Sequence, residues 1–472
     1  MDIEQFRKEG YKAIDQICDY YYALRESKIP VIPPVEPGWL RPLLADSAPQ
    51  QGEDFAVIAE DYKKHIVPGY TPWQHPSFFA YFPTGFSFEG LIGDIFASAA
   101  SNPGFNWTAS PSCTELEIIV MDWAAQMLGL DRSFYNASGV GGGCLQNTAS
   151  DAALITIVAA RRNYTDKHPE VKLEDLVIYV STQTHSLGLK AALILGLQIR
   201  ALPVKAEDNF SLRGSTVREA LEEDTKAGKQ PFILIATVGT TSSGAIDNLP
   251  EIKEVAQDYP DLKIHVDAAW LGLALWGLTN FDASAMWVRD RRYLTEALDI
   301  TPPFLRTPQG EAGTVIEFRN WHLGLGRRYR SVKLWFILRG FGVEGFQAHI
   351  RKGIALNKSF IEYVNKSPLF RIVAPPAFSL TVFRLVPKPQ TPNDPIASEQ
   401  TLNELNQIFY GRINARKDII LTQTKLNDTF CIRFAVGSRY TEEEHIKQAF
   451  DVLTQEANLT LEAWRQREVG AG

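Results

Sequence analysis

Three stretches of the sequence place polar residues directly after short apolar runs. They are Gly141-Gly-Gly-Cys-Leu-Gln-Asn-Thr-Ala-Ser150, Ser181-Thr-Gln-Thr-His185 and His265-Val-Asp267-Ala-Ala269. In an open parallel sheet, ligands bind beyond the carboxyl ends of the strands, where helix N-termini offer free N–H groups. The three stretches are therefore predicted to gather at one edge of a sheet and to bind a flat, charged small molecule there.

The glycine-rich stretch favours a phosphate site. Glycines let the backbone approach a ligand closely, and Thr148, Ala149 and Ser150 precede a helical stretch, so they supply N–H and hydroxyl donors. A plain turn before a helix has the same pattern, and the residues alone leave both interpretations open. A dinucleotide loop is discarded because Gln146 stands where the third glycine of that motif belongs.

The other two stretches offer a ring and a carboxylate. A lone histidine at a strand end, such as His185, is more often structural, but its ring can also stack on a heteroaromatic cofactor. Asp267 ends a predicted buried strand, where a carboxylate is costly unless a cation pairs with it. A protonated pyridine nitrogen is such a cation, and this pairing would keep the cofactor an electron sink.

Alternating helical and β-branched stretches between about residues 79 and 345 predict the elements that position these residues. Buried strands are predicted at 176–181, 232–239 and 262–267, with helices at 214–227 and 250–258. This order is typical of an α/β fold with a mostly parallel sheet.

Two smaller parts flank this predicted domain. Residues 1–78 combine an amphipathic helix with the proline-rich stretch 29–38, which cannot be helical and is expected to lie on a partner subunit. Residues 346–472 are predicted to form a small α+β domain, with apolar runs at 378–386 and 429–436 and helices near 397–412 and 441–465.

Composition excludes several classes of protein. The net charge of −7 is interspersed along the chain, so no basic surface for nucleic acid is expected. The four cysteines lack C-x-x-C spacing, which argues against zinc and disulfides and predicts four core residues. No run approaches about 20 apolar residues and no signal-peptide pattern opens the chain, so a cytoplasmic protein without a membrane partner is expected.

Joined together, these segments resemble the group II decarboxylases that use pyridoxal 5'-phosphate (PLP) and have fold type I. The similarity covers nearly the whole chain and is greatest to aromatic-L-amino-acid decarboxylases. It includes four further blocks, which are His75-Pro-Ser-Phe-Phe-Ala-Tyr-Phe-Pro-Thr84, Gly104-Phe-Asn-Trp-Thr-Ala-Ser-Pro-Ser-Cys-Thr-Glu-Leu-Glu117, Asn280-Phe-Asp-Ala-Ser-Ala-Met-Trp-Val288 and Leu325-Gly-Arg-Arg-Tyr-Arg-Ser-Val-Lys-Leu-Trp335.

The resemblance implies roles for individual residues. Ala149, Ser150 and Thr241 would hold the cofactor phosphate, Asp267 would pair with the pyridine nitrogen, and His185 would stack on the ring and contact the substrate.

The remaining implied roles concern the surroundings of the cofactor. Asp247 would orient its neighbours and Ala269 would lie against the cofactor. Tyr81, Phe82, Pro83 and Thr84 would line an aromatic substrate pocket, which in this family lies at the interface of a homodimer.

One departure from the family removes a central residue. Family members follow the His-Val-Asp-Ala-Ala block with a helix, a strand and an Asn-x-His-Lys-Trp motif, whose lysine forms the Schiff base with PLP. Here Leu271-Gly-Leu-Ala-Leu275 runs directly into Trp276, and no lysine occurs between Lys263 and Lys333. A helix, a strand and their connections amount to roughly 25 to 30 missing residues.

The missing segment predicts impaired turnover and a weakened sheet, because two strands lose a neighbour. Two explanations stay open, a natural inactive protein and an incomplete sequence. The second is favoured, since both sides of the junction match the active family closely.

A second departure is Phe318 in Glu317-Phe-Arg-Asn-Trp321, which resembles the family's mobile catalytic loop. Decarboxylases carry a tyrosine there, which is thought to act as a general acid. Members with phenylalanine tend instead to give an aldehyde, ammonia and peroxide. A conservative aromatic exchange in a packed loop is the other interpretation.

The resemblance therefore implies PLP-dependent decarboxylation of an aromatic L-amino acid such as tryptophan, tyrosine or dopa. Two alternatives remain from this stage, an aromatic aldehyde synthase and a non-catalytic homologue that binds the cofactor or a partner without turnover.

Overall fold

The computed structural model describes residues 1–82, 84–387 and 398–470, without the side chains of residues 273–276 and 467–470. The chain divides into two compact units. One is Thr84–Arg351, and the other joins Met1–Pro83 with Lys352–Gly472. The sequence-based division at residues 78 and 345 stays a prediction.

The described residues form ten strands. They are β1 (Gly142–Gln146), β2 (Leu176–Ser181), β3 (Gln198–Leu202), β4 (Gln230–Thr237), β5 (Lys263–Asp267), β6 (Ser284–Val288), β7 (Phe370–Ile372), β8 (Leu380–Leu385), β9 (Thr422–Leu426) and β10 (Thr429–Ala435).

They also form fourteen α-helices, besides single turns of other helix types. The helices are α1 (Ile3–Arg25), α2 (Phe55–Asp61), α3 (Phe88–Ala100), α4 (Pro111–Met127), α5 (Ala149–Lys167), α6 (Leu187–Leu195), α7 (Gly214–Lys226), α8 (Leu249–Ala256), α9 (Ala269–Trp276), α10 (Arg292–Leu298), α11 (Pro308–Glu311), α12 (Arg330–Lys366), α13 (Glu399–Asn414) and α14 (Glu443–Gly470).

The unit Thr84–Arg351 contains a parallel sheet with the strand order β3-β2-β4-β5. Strands β1 and β6 form a separate antiparallel pair in the same unit. The predicted α/β class with a mostly parallel sheet is confirmed, and the predicted strands lie within two residues of β2, β4 and β5.

The central strands are apolar because helices exclude water from both faces of the sheet. Every residue of β2 is buried, as is every residue of β4 after the first. Helices α5 and α6 pack beside them through a core that includes Ala153, Ile157 and Ala191. The continuous apolar runs that predicted β2 and β4 therefore report burial on two faces. Strand β5 was also predicted to be buried, and that was wrong, because among the described residues it pairs on one side only and all of its residues except Asp267 are at least partly exposed.

A buried ion pair joins distant parts of this unit. Glu117 on α4 accepts two hydrogen bonds from the Arg327 guanidinium, at 2.5 and 2.6 Å, and one from the backbone N–H of Leu145 on β1 at 2.8 Å. The two charged side chains are 1% and 3% exposed. The pair thus fixes β1 against α4 and against the segment that precedes α12.

The other unit is built on the antiparallel sheet β7-β8-β10-β9. Helices α13 and α14 contribute to its core, together with aromatic residues such as Phe383 and Phe434. Strands β8 and β10 and helices α13 and α14 lie near the positions predicted from the sequence, whereas a separate C-terminal α+β domain stays a prediction.

Helix α1 shows a largely solvent-exposed apolar stripe. Its exposed large apolar residues are Ile3, Phe6, Tyr11, Ile14 and Tyr22. Cys18 on the same helix is also exposed, so the prediction of a core residue was wrong there, whereas the other three cysteines are buried and all four are unpaired. No described helix is both long and apolar enough to traverse a bilayer.

The buried ion pair gives a stability prediction. Glu117→Gln keeps an acceptor for Leu145 but leaves the Arg327 charge buried without a partner, so we expect the free energy of unfolding to fall by about 3–5 kcal/mol. Urea denaturation followed by circular dichroism measures the change. The control is Glu4→Gln, which breaks an exposed pair with Arg7 and should cost less than about 1 kcal/mol. Equal losses in the two variants would contradict the prediction.

Candidate active site

The N-terminus of α5 follows directly on β1 and forms an anion-binding geometry. Thr148 caps the helix, because its Oγ1 accepts a hydrogen bond of 3.0 Å from the N–H of Asp151. Ala149 and Ser150 are the first two helical residues and are half-buried. The first N–H groups of a helix have no acceptor within the helix, and together they create a positive electrostatic potential at its N-terminus. Thr148, Ala149 and Ser150 thus lie at the start of a helix, and their binding of a phosphate stays a prediction.

Asp267 is the last residue of β5 and is 6% exposed. Its Oδ1 accepts a hydrogen bond of 2.9 Å from the N–H of Ala269 at the start of α9. Among the described residues no lysine, arginine or histidine forms an ion pair with it. A buried carboxylate without a cation is unfavourable, so this position fits a ligand that brings a positive charge.

Two further buried polar atoms belong to residues that neighbour Asp267 in the sheet or along the chain. Thr237, its paired residue on β4, is 3% exposed, and Trp270, three residues along the chain, is 7% exposed. Their Oγ1 and Nε1 atoms have no hydrogen-bond partner within the described part of the chain. Buried polar groups are nearly always paired, so these atoms indicate that a polar ligand completes this edge of the sheet.

The loops after β2 and β4 are joined by one side-chain hydrogen bond. Ser242 Oγ donates to Gln183 Oε1 at 2.7 Å. His185, two residues after Gln183, is exposed, and Thr241, one residue before Ser242, is half-buried. The structure therefore brings the predicted ring-stacking residue and a predicted phosphate-binding residue onto two neighbouring, linked loops.

Asp247 is a structural residue beneath this edge. Its Oδ1 accepts from the N–H of Leu212 at 2.9 Å and its Oδ2 from the N–H of Thr237 at 2.7 Å. Burial raises the pKa of Asp247 to about 6, although both N–H donors oppose the shift. This geometry fits the predicted orienting role, because Asp247 holds the end of β4 beside Asp267.

Gly239 lets α9 approach the loop after β4. Its φ of +82° is in the left-handed region, and a Cβ there would lie 3.2 Å from the Cβ of Leu271. Ala269, which opens α9, is exposed and carries only a methyl group. Helix α9 therefore packs closely on the loop that carries Thr241.

Lys263 and Lys333 border the stretch of sequence that contains no lysine, and both side chains make other contacts. Lys263 is at the opposite end of β5 from Asp267, with its Nζ 5.7 Å from the centre of the Tyr293 ring. Lys333 is 1% exposed and its Nζ bonds to Asp94 and to the carbonyl of Asp282. Neither amine therefore takes the place of the lysine that the resemblance leads one to expect.

Phe318 lies in a short helical turn and is 2% exposed. Its ring meets Trp321 edge-on at 5.4 Å, and the Arg327 guanidinium lies over it at 4.8 Å. The carbonyl of Trp321 accepts a 2.7 Å hydrogen bond from Gln146, the last residue of β1. The turn is therefore packed against the end of β1, which precedes the helix cap Thr148 by two residues.

The predicted substrate residues are divided between the two units. Tyr81 and Phe82 belong to the unit that includes the C-terminal part, where both are exposed and flank the Trp73 ring at 5.3 and 5.5 Å. Thr84 is half-buried in the other unit, and Pro83 lies outside the described residues. The predicted pocket therefore stays a prediction.

Sequence reasoning missed several residues that shape the site. Gln183 and Ser242 link two loops, and Thr237 carries an unpaired hydroxyl at the strand end. A glutamine two residues before a candidate histidine was a usable signal, since such short loops fix both side chains together. The Gln146–Trp321 contact had no local signal, because 175 residues separate the partners.

Comparisons with known proteins agree with this geometry. The pyridoxal-dependent decarboxylase conserved domain matches residues 37–276 and 274–386, two stretches that meet where the sequence lacks the expected segment. Tyrosine decarboxylase 2 of Narcissus pseudonarcissus is 39% identical over 498 positions, covering 100% of this chain and 97% of the relative. Since the chain has 472 residues, at least 498 − 472 = 26 of those positions have no counterpart in it.

Two other similar proteins differ in activity. Phenylacetaldehyde synthase of Arabidopsis thaliana is 38% identical, with 98% of this chain and 97% of the relative covered. The crystal structure of Oryza sativa TDC with PLP and tryptamine superposes with a TM-score of 0.92 at 34% identity, covering 97% of this chain and 98% of that one.

The shifted pKa of Asp247 gives a pH prediction. The carboxyl ordinarily titrates near 3.8 and in the fold near 6, so its stabilising contribution is complete below about pH 4 and is lost as the pH rises through 6. The variant Asp247→Asn has no such group. The difference in free energy of unfolding, protein minus variant, should therefore fall by about 3 kcal/mol between about pH 4 and about pH 7.

Chemical denaturation at a series of pH values measures this difference. Asp258→Asn is the control, because its side chain is exposed and bonds only to Arg218 among the described residues. A difference for Asp247→Asn that stays constant or grows with pH would overturn the assignment.

Proposed function

Because this chain belongs to the family of pyridoxal-dependent decarboxylases, we propose that it acts as a carboxy-lyase on an aromatic L-amino acid with PLP as cofactor. The observation that carries the proposal is Asp267, a buried carboxylate at the carboxyl end of β5 that forms no ion pair with any described residue. Tryptophan, tyrosine and dopa are the proposed substrates, because the relatives named above act on aromatic amino acids or give aromatic products.

The residues at the sheet edge suit the three parts of this cofactor. When bound, PLP supplies an electron sink for the electron pair that remains on the substrate when CO2 leaves. Asp267 keeps the proton on the pyridine nitrogen, because its carboxylate forms no ion pair within the described part of the chain and burial lowers the pKa of its neighbour His265. The N–H groups of Ala149 and Ser150 at the start of α5, with Thr241, bind the phosphate. His185 is exposed on its loop and is free to cover one face of the ring.

The chain holds this cofactor by non-covalent contacts alone. No lysine lies between Lys263 and Lys333, and both of these amines are engaged elsewhere. A covalent link and a proton-carrying amine are both lost, so turnover is expected to be slow compared with family members that have the lysine.

Aldehyde formation is a second candidate, favoured by Phe318. A phenylalanine cannot donate a proton, and its ring is already covered by Trp321 and Arg327. The balanced reaction consumes the amino acid, O2 and water and gives the aldehyde, CO2, ammonia and hydrogen peroxide. The 38% identity to a phenylacetaldehyde synthase supports this alternative.

We further propose that the protein is a cytoplasmic homodimer. Apolar side chains on α1 and α3 are exposed, which is unfavourable for an isolated chain and suits burial against a second copy. On α3 these residues are Phe88, Ile92, Ile95 and Phe96. In such a dimer, residues 81–84 would line the substrate pocket, and the exposed rings of Tyr81 and Phe82 suit an aromatic substrate.

The cofactor proposal is tested by titrating the purified protein with PLP and following its absorbance. We expect saturable binding, which Asp267→Asn weakens about 10- to 100-fold because a charge-assisted hydrogen bond is lost. Asp258→Asn changes an exposed residue between α8 and β5 and should leave the affinity for PLP unchanged. Borohydride treatment should leave no pyridoxyl group on the chain. Absence of saturable binding, or equal affinity of both variants, would refute the cofactor site.

The product is tested by incubating the PLP-loaded protein with L-tryptophan, L-tyrosine or L-dopa and measuring CO2, amine, aldehyde and peroxide. Phe318→Tyr restores a hydroxyl that can donate a proton, so the ratio of amine to peroxide should rise at least about tenfold. Phe318→Leu is the matched control without a hydroxyl and should not raise it. Amine without peroxide from the unmodified protein would eliminate the aldehyde alternative.

A further inference from the structure

Among the described residues, strands β5 and β6 each pair with a neighbour on one side only. Strand β5 bonds to β4, and β6 bonds to β1. The two strands are not hydrogen-bonded to each other, so the unit Thr84–Arg351 has two sheets where a single larger sheet would leave fewer edges. Open edges expose rows of unpaired backbone groups and are usually covered or blocked in proteins.

The backbone groups of β5 that remain unpaired, called here its open row, follow from the pairing of β5 with β4. The carbonyl of Asp267 accepts a 2.8 Å hydrogen bond from the N–H of Val238, so the backbone groups of Asp267 face β4. In a parallel strand the N–H and C=O of one residue point to the same side, and this side alternates along the strand. The backbone groups of Ile264 and Val266 therefore face away from β4.

The open row of β6 follows from the bonds of β1. The N–H of Leu145 donates to Glu117, and the carbonyl of Gly143 accepts from Asn136, so both residues point away from β6. Their paired residues, Ala285 and Trp287, are then the non-hydrogen-bonded ones in this antiparallel ladder. The backbone groups of Ala285 and Trp287 thus also face away from β1.

Both open rows lie over the same helix. Helix α5 packs against β4 and β5 and also against β6 and β1. Two strands that lie on the same helix without pairing can be separated by a further strand. One such strand would hold its two neighbours about 10 Å apart.

Exposure of the side chains agrees with an incomplete sheet. Val266 is 43% exposed, although it is β-branched and its strand pairs with β4, which is almost wholly buried. All five residues of β5 except Asp267 are at least partly exposed, like most of the outermost strand β3. Strand β5 is therefore an edge where water reaches an apolar surface.

We propose that the space between β5 and β6 is a strand-acceptor site, which binds one extended peptide through backbone hydrogen bonds on both of its edges. Only an extended backbone carries N–H and C=O groups at the spacing and on the two sides that Ile264, Val266, Ala285 and Trp287 require. The occupant is a short apolar segment rich in β-branched residues, since it lies beside Val266 and over α5.

The occupant comes from a second polypeptide. Helix α9 ends at Trp276 and β6 begins at Ser284, so the connection has too few residues for a strand with a turn at each end. Part of it is also already fixed, because Asn280 is 8% exposed and its Oδ1 accepts from the N–H of Ser87 at 2.9 Å. The strand is therefore supplied in trans.

The probe is a synthetic valine and threonine heptapeptide with a lysine at each end for solubility, added to the full-length protein. Two matched peptides carry N-methyl groups on alternate residues, either the odd or the even ones, so that each loses the N–H donors of one edge only. Hydrogen–deuterium exchange with mass spectrometry reports protection at residues 263–267 and 284–288, and fluorescence anisotropy of labelled peptide reports affinity.

We expect the parent peptide to slow amide exchange about tenfold in both segments. Either N-methylated peptide should lose this protection, because the site bonds to both edges. Residues 198–202, which form the outer edge strand β3, should not change. Binding that tolerates one set of N-methyl groups, protection of β3 instead, or amides of β5 and β6 that exchange as slowly as those of β4 before peptide is added would overturn the proposal.

Discussion

The parallel pairing of β4 with β5 is the constraint on which the candidate site depends. Its register sets Thr237 opposite Asp267, and Asp247 fixes the same point from below through the N–H of Thr237. Parallel strands end at one edge, so this pairing places a buried carboxylate beside the loop that carries Thr241. Backbone hydrogen bonds thus determine where a charged ligand is needed before any ligand binds.

A second constraint connects this edge to the turn with Phe318. Glu117 and Arg327 neutralise each other where water is excluded, and Glu117 also bonds to β1. Gln146 at the end of β1 then bonds to the carbonyl of Trp321. These contacts are buried and hold the Phe318 ring between Trp321 and Arg327. The ring has no hydroxyl, so it contributes packing and no proton.

The same sheet that forms the cofactor edge is interrupted beyond β5. Asp267 and the open row of Ile264 and Val266 belong to one strand, with alternate residues facing β4 and the open side. The position of the interruption coincides with residues 274–276, where the match to the family divides. The buried carboxylate of Asp267 and the interruption of the sheet are therefore neighbours along the chain.

The sequence by itself determined the class of fold and the positions of the central strands β2 and β4, because strands buried on both faces are continuous apolar runs that a local pattern reports. It also identified Asp267, Thr148, Ser150 and His185 as candidates, since strand ends and helix caps have local signatures. The sequence also showed that the expected lysine is missing, because folding cannot create a residue that the sequence lacks.

Only the tertiary structure decided which of these groups have partners. The Gln183–Ser242 link, the contact of Gln146 with Trp321 and the sandwiching of Phe318 join residues far apart in sequence. The split into two sheets, with β5 and β6 each open on one side, likewise depended on pairing between distant segments. The physical reason is that periodicity reports whether a residue is buried, whereas hydrogen bonds and ion pairs depend on which other segment is brought within about 3 Å.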